Sequence, residues 1–178
     1  MKANLIVSVL AAAALIGCTA NRAPDVTAQI RNSLKQAGLN SVTVSQNRDK
    51  GVVTLGGNVA QTQDKARAEQ IVQPLAQGQV VADEIAVLPN GYQSQARSID
   101  SDLDKGIQSN LDAALTQTNI KGINHSTKNG VVTLTGELET PQLRQYAEKV
   151  ASGVPNVLQV VNEIDVKNQR ATTTSRGQ

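Results

Sequence analysis

With 178 residues, 17 of them basic and 15 acidic, the chain has room for one ordinary domain or two very small ones, and its near balance of charge excludes a one-signed polyelectrolyte surface. Tyr92 and Tyr146 are the only aromatic residues, too few for a base-stacking platform, so nucleic acid is not an expected partner. Without Phe or Trp, any core is built from Val, Ile, Leu and Ala, which bury less area apiece, and small domains of this kind are marginally stable.

Residues 1–17 read as an export signal. Met1-Lys2-Ala3-Asn4 is a short positive head, and Leu5 to Leu15 is an apolar run broken only by Ser8, too short to cross roughly 30 Å of hydrocarbon. Loss of Lys2 with the leader leaves 16 basic against 15 acidic residues. Leu15-Ile16-Gly17-Cys18 resembles the bacterial lipobox. That resemblance implies cleavage after Gly17, a diacylglycerol thioether on Cys18 and usually a third chain, such as palmitate, on the new amino group; residues 18–24 then form a lipidated tether. The alternative is a plain secretory signal with a spare cysteine. Cys18 is the only cysteine, so no disulfide within the chain employs it. Two buried acyl chains anchor stably where one does not. By the sorting rule of enterobacteria, Thr19 in place of Asp favours the outer membrane, with the protein facing the periplasm.

After Pro24-Asp25, Val26, Ile30 and Leu34 recur at helical spacing, and Gly38 suits a helix stop. A strand is expected around Val42 and Val44, then a turn at Asp49-Lys50-Gly51, then a strand with Val53, Leu55, Gly57 and Val59 on one face. Ala68, Ile71, Val72 and Leu75 mark a second helix, and Val81, Ile85 and Val87 a last strand. Residues 89–99 read as a turn-rich linker. From Asp102 the pattern begins again: Leu103, Ile107, Leu111 and Leu115 for a helix, Ile120 to Ile123 for a strand, and Asn129-Gly130 as a hairpin signal. Val132, Leu134, Gly136 and Leu138, then Ala147, Val150, Ala151 and Val154, then Val160, Ile164 and Val166 complete it. Residues 169–178 read as a disordered tail.

The segment Gly51-Val52-Val53-Thr54-Leu55-Gly56-Gly57 returns 79 positions later as Gly130-Val131-Val132-Thr133-Leu134-Thr135-Gly136, and the match holds its register through the following helix and strand, the mark of a duplication. The expected fold class is α+β: two tandem α-β-β-α-β domains, 25–88 and 100–168, each a three-stranded mixed sheet with two helices on one face. The motif Gly-x-Val-x-Leu-x-Gly, at Gly51 to Gly57 and Gly130 to Gly136, resembles that of the BON domain, the bacterial osmotic-stress and nodulation module. The second copy adds the Gly-Val-Pro-Asn-Val run at Gly153 to Val157, from which Pro74 to Gly78 departs. A lipobox before two such domains is similar to the dual-domain BON lipoproteins of the bacterial envelope, for which phospholipid association and envelope integrity are implied.

The chemistry-bearing inventory is thin. His125 is the only histidine, so neither a catalytic triad nor a zinc site, each needing several converging groups, is expected, and no cofactor or small-molecule substrate is called for. Glu137 and Glu139 flank Leu138 on an alternating strand and are expected to face solvent. Gly51, Gly57, Gly130 and Gly136 are read as structural, the second and fourth on core-facing parity where close helix packing is the plain explanation. Asp83 and Asn162 share the inward parity of Ile85 and Ile164, which a bulge or a bond to local backbone would accommodate. Asp100, Asp102 and Asp104 are expected in the first turn of a helix, favouring its dipole. Residues 25–88 carry six basic and six acidic side chains, and 100–168 six and nine. Lys121, His125 and Lys128 are the candidate phospholipid contacts, and Cys18 the lipidation site. The expectation is a non-enzymatic envelope lipoprotein in contact with anionic phospholipid or a membrane-bound partner, supporting stress tolerance; a protein adaptor touching lipid only through its anchor is the rival.

Overall fold

The computed structural model describes residues 22–167; residues 1–17 read as an export signal, Cys18, Thr19 and residues 169–178 read as a tail lie outside them. The first unit runs α1 (Thr27–Gln36), β1 (Val42–Asn47), β2 (Val52–Val59), α2 (Thr62–Val72), β3 (Val80–Asp83) and β4 (Ala86–Val87). Helix α1 starts where the Asp25 carboxylate accepts from the backbone N–H and hydroxyl of Thr27, at 3.0 and 2.8 Å, and it is followed by Gly38 at φ +81°. The second unit repeats the order as α3 (Gln93–Thr118), β5 (Ile123–Lys128), β6 (Val131–Leu138), α4 (Pro141–Ser152), β7 (Gln159–Asn162) and β8 (Asp165–Val166). In each, the first strand pairs antiparallel with the second, and the second pairs parallel with both pieces of the third. Ile30, Leu34, Ala68 and Val72 bury one core against Val53, Leu55 and Val81. Ile107, Leu111, Ala147 and Ala151 bury the other against Val132 and Leu134. The expected two α+β repeats, with helices on one face of a mixed sheet, are thus present.

The third strand is interrupted because Asp83 and Asn162 turn on their own backbone: their Oδ1 atoms accept from the N–H of Ile85 at 3.1 Å and of Ile164 at 3.2 Å. This is how an inward polar side chain is accommodated at both places. Burial raises the Asp83 carboxyl above its ordinary pKa, with Lys65, 3.7 Å away, opposing the shift. Gly57 and Gly136 are required for a reason other than helix packing. Their φ angles are +86° and +122°, and a Cβ would stand 2.1 Å from the Ser41 carbonyl oxygen and 2.3 Å from that of Gly122, on the chain entering the neighbouring strand.

The linker is shorter than expected. Pro89–Tyr92 alone forms the turn, with the Gln93 side chain accepting from Gly91 N–H at 3.1 Å, and helix starts at Gln93 because no Pro or Gly interrupts the chain before Gly106. Asp100, Asp102 and Asp104 therefore sit inside α3 rather than in its first turn. Asp104 holds a turn instead of a helix end. Its carboxylate accepts from the N–H groups of Asn129 and Gly130, at 2.8 and 2.9 Å, and clamps the β5–β6 turn to the helix.

The sheets meet through the faces not covered by helix. Val52 and Ala82 of the first domain bury against Val131 and Val161 of the second, positions 79 apart in both pairs, so the contact is a quasi-twofold one. Polar contacts reciprocate it. Asn47 at the end of β1 and Lys50 in the turn after it reach Glu163 and Asp165, while Lys128 at the end of β5 and Asn129 in the turn after it reach Glu84. The Gln159 side chain donates to the Val81 carbonyl at 2.7 Å and accepts from Asp83 N–H at 3.2 Å, occupying the outer edge of β3.

Candidate functional site

The three residues expected to contact phospholipid do not form one patch. The register places Ile123 opposite Gly136 where Val42 lies opposite Gly57, an offset of 81, although β2 and β6 are offset by 79. Four residues, Arg48 to Gly51, close the first hairpin, whereas Asn129-Gly130, both at positive φ, close the second. His125 consequently occupies the place of Val44, in mid-strand and turned toward α3. Its side chain is only 14% exposed, with Nε2 2.9 Å from Asp112 Oδ1 and a buried Nδ1 that has no hydrogen-bond partner. Lys128, at one end of β5, pairs with Glu84 of the first domain at 3.0 Å. Lys121 precedes the other end of the same strand, so the two lysines stand on the backbone about a strand's length apart, roughly 20 Å at 3.3 Å per residue.

Around Lys121 the surface has a composition the sequence did not announce. Ile120, Leu138, Leu143, Tyr146 and Lys167, together with the carboxylates of Glu137 and Glu139, line with it a groove of about 310 Å³. Leu143 and Tyr146, 37% and 48% exposed, stand one turn apart on the outer side of α4, a helix fixed at its start by Pro141 and by Thr140 Oγ1 accepting from Leu143 N–H at 3.2 Å. Lys149 follows one further turn along, at a second groove against α3 that includes Ala114 and Val150. Lys121 and Lys149 have no ion-pair partner among the described residues. Lys167 pairs with Glu139 at 3.0 Å, and that hydrogen bond holds its pKa above the usual lysine value. The signal in the sequence was the i, i+3 pair Leu143 and Tyr146, off the Ala147–Ala151 stripe that packs inward. The corresponding residues of the first copy, 79 positions earlier, are Asp64, Arg67 and Gln70, so only the second domain carries this amphipathic face.

Glu137 and Glu139 face solvent, and among the described residues no group of His, Cys, Asp and Glu is placed to hold a metal ion. Nor, among them, is any helix long and apolar enough to cross a membrane. Two small mixed sheets, joined back to back and presenting one lysine-flanked apolar face, define a repeat-built protein whose distinguishing features are surfaces. A family profile described as the BON domain matches residues 23–89 and again 100–168, and the chain belongs to that family. The family as a whole associates with phospholipid or membranes, is generally non-enzymatic and typically occupies the cell envelope. Comparison with curated proteins gives no match. Among solved structures, the chain is similar to the C-terminal domain of CdsD, a structural protein of the type III secretion system of Chlamydia trachomatis, at 14% identity and a TM-score of 0.35 over 80% of this chain and 97% of that one. A second structure of CdsD from the same organism gives 14% and 0.36 over 77% and 90%.

Proposed function

We propose that this chain is a non-enzymatic lipoprotein held on the periplasmic side of the outer membrane by an acylated Cys18, and that its second domain contacts anionic phospholipid in support of envelope integrity under stress. The observation that supports the lipid contact is the face formed by Leu143 and Tyr146 with Lys121 and Lys149 beside them. An aliphatic and an amphipathic aromatic side chain suit the headgroup boundary, and each lysine near an anionic surface contributes about 1 kcal/mol. The second domain as a whole is acidic, so the contact rests on this local arrangement rather than on net charge. Lys128 and His125, one paired across the domain boundary and the other turned against α3, are left out of the contact.

The fragment 19–178 retains both cores and is tested by flotation with phosphatidylglycerol-containing and neutral vesicles. Binding to the anionic vesicles is expected, weakened roughly tenfold or more by Lys121→Glu with Lys149→Glu, and little changed by Lys128→Gln. A wild-type fragment that ignores both vesicle types overturns the lipid contact in favour of a protein adaptor. The anchor is tested separately: Cys18→Ser is expected to leave an unprocessed or mislocalised precursor.

A further inference from the structure

The chain enters the first domain at one end and is held there by the β1–β2 turn. Ala23 N–H donates to the Arg48 carbonyl at 2.9 Å, and Arg48 Nε donates back to the Ala23 carbonyl at 2.8 Å. Arg22 pairs with Asp49 of the same turn at 2.7 Å, and the Gln46 and Gln79 amides donate to the Pro24 carbonyl at 2.7 and 3.2 Å. Residues 22–24 are thus part of the folded body. Only four peptide units separate Arg22 from Cys18, at most about 14 Å of extended chain.

The quasi-twofold packing brings one part of the second domain to this end. Lys50 of the turn meets Asp165, which stands opposite Glu137 near the end of β6, and Glu137 N–H donates to the Gly122 carbonyl at 3.1 Å, next to Lys121. The tether entry and the groove of Lys121, Leu143 and Lys167 therefore lie at the same end of the molecule. The opposite end holds the β5–β6 turn, joined to Glu84, and the Pro89–Tyr92 linker that follows β4.

We infer that the end bearing the β1–β2 turn faces the bilayer and touches it at two points, the tether entry on the first domain and the α4 groove on the second, while the linker and the first half of α3 point away. This rests on the acylation of Cys18 and on the lipid contact of α4. Glu137 and Glu139 leave the groove with little net charge, so its attraction to a bilayer from free solution is modest. A short tether makes the same contact intramolecular, at an effective concentration on the order of millimolar, so a modest contact suffices to set the orientation. Arg48, exposed and without an ion pair among the described residues, adds a cation beside the tether. The Arg22–Asp49 pair is exposed on both sides and contributes little either way.

The full-length lipoprotein, reconstituted in phosphatidylglycerol-containing vesicles with a quencher on the lipid headgroups, tests the orientation. An acylated Cys18 offers no thiol, so Asp49→Cys, Gln142→Cys, Asn90→Cys and Ile99→Cys, all at exposed positions, each take a single fluorophore. Strong quenching is expected for Asp49→Cys and Gln142→Cys, and none for Asn90→Cys and Ile99→Cys. Quenching of Asn90→Cys or Ile99→Cys as strong as that of Asp49→Cys, or quenching at no position, overturns the proposal with the anchor intact. Label taken up by the chain without an added cysteine shows a free Cys18 and removes the anchor on which the orientation stands. The 19–178 fragment reports the α4 contact separately: if it floats with neither vesicle type while the full chain is quenched at Asp49→Cys alone, the second point of attachment is overturned.

Discussion

The two domains share a fold but divide their polar interior differently, and the division falls at the edge strand. In the first domain Gln46 ties the chain together: its amide donates to the Pro24 carbonyl at 2.7 Å and to Gln79 at 2.6 Å, and its oxygen accepts from Val26 N–H at 3.3 Å. In the second, the equivalent Thr127 has a buried hydroxyl with no partner, and His125, in place of Val44, leaves Nδ1 in the same condition. The lesson is that the α-β-β-α-β core tolerates such exchange on its first strand because that strand is paired on one side only, while β2 and β6, paired on both, keep Val, Leu and Gly in common.

The comparison breaks most sharply at the glycines. Gly136→Val and Gly57→Val are each expected to destabilise their own domain by about 3 kcal/mol or more, since strain at positive φ adds to collision with the adjacent backbone. Calorimetry that shows a melting temperature within about a degree of wild type for either variant would contradict the close approach. Next is Gln159→Val, which gives the second copy a residue of the type the first holds at Val80. It removes two hydrogen bonds across the boundary, at a cost of about 1 to 2 kcal/mol, and is expected to separate the unfolding of the domains. A single unshifted transition would show that the apolar contact alone couples them.

Two substitutions sharpen the comparison in the stabilising direction. His125→Val restores the residue of the first copy and removes an unsatisfied buried nitrogen, so chemical denaturation is expected to show a gain of about 1 kcal/mol; a loss would mean the Asp112 contact outweighs the orphaned atom. Asp83→Asn, the converse borrowing from Asn162, is the smallest. Burial raises the folded-state pKa of Asp83 above the ordinary 3.8, so its ionised form is disfavoured by folding. That penalty is absent below the unfolded pKa and present in full above the raised one. The variant is thus expected to melt slightly higher at neutral pH and to lose the advantage as pH falls toward 3. An advantage that grows in acid would reverse the assignment.

The repeat, the mixed sheet and both cores were written in period and spacing: Val53, Leu55 and Ala68 recur 79 positions on, with Ala151 in the place of Val72, and side chains that must be buried leave that trace whatever surrounds them. The local bond that accommodates Asp83 and Asn162 was legible too, because it involves only two neighbouring residues. What escaped was everything set by contacts between distant segments. The two-residue difference in hairpin length puts His125 in the core-facing place of Val44, which is invisible without knowing which residues face Gly57 and Gly136. Asp104 looked like a helix-dipole residue until the turn at Asn129-Gly130 stood within 3 Å of it. Lys121 found Leu143 and Tyr146, and Lys128 found Glu84, only once the helices and the quasi-twofold packing had brought them together. Periodicity reports which side of an element is buried; which residue of another element covers it is decided by the three-dimensional arrangement, where proximity no longer follows distance along the chain.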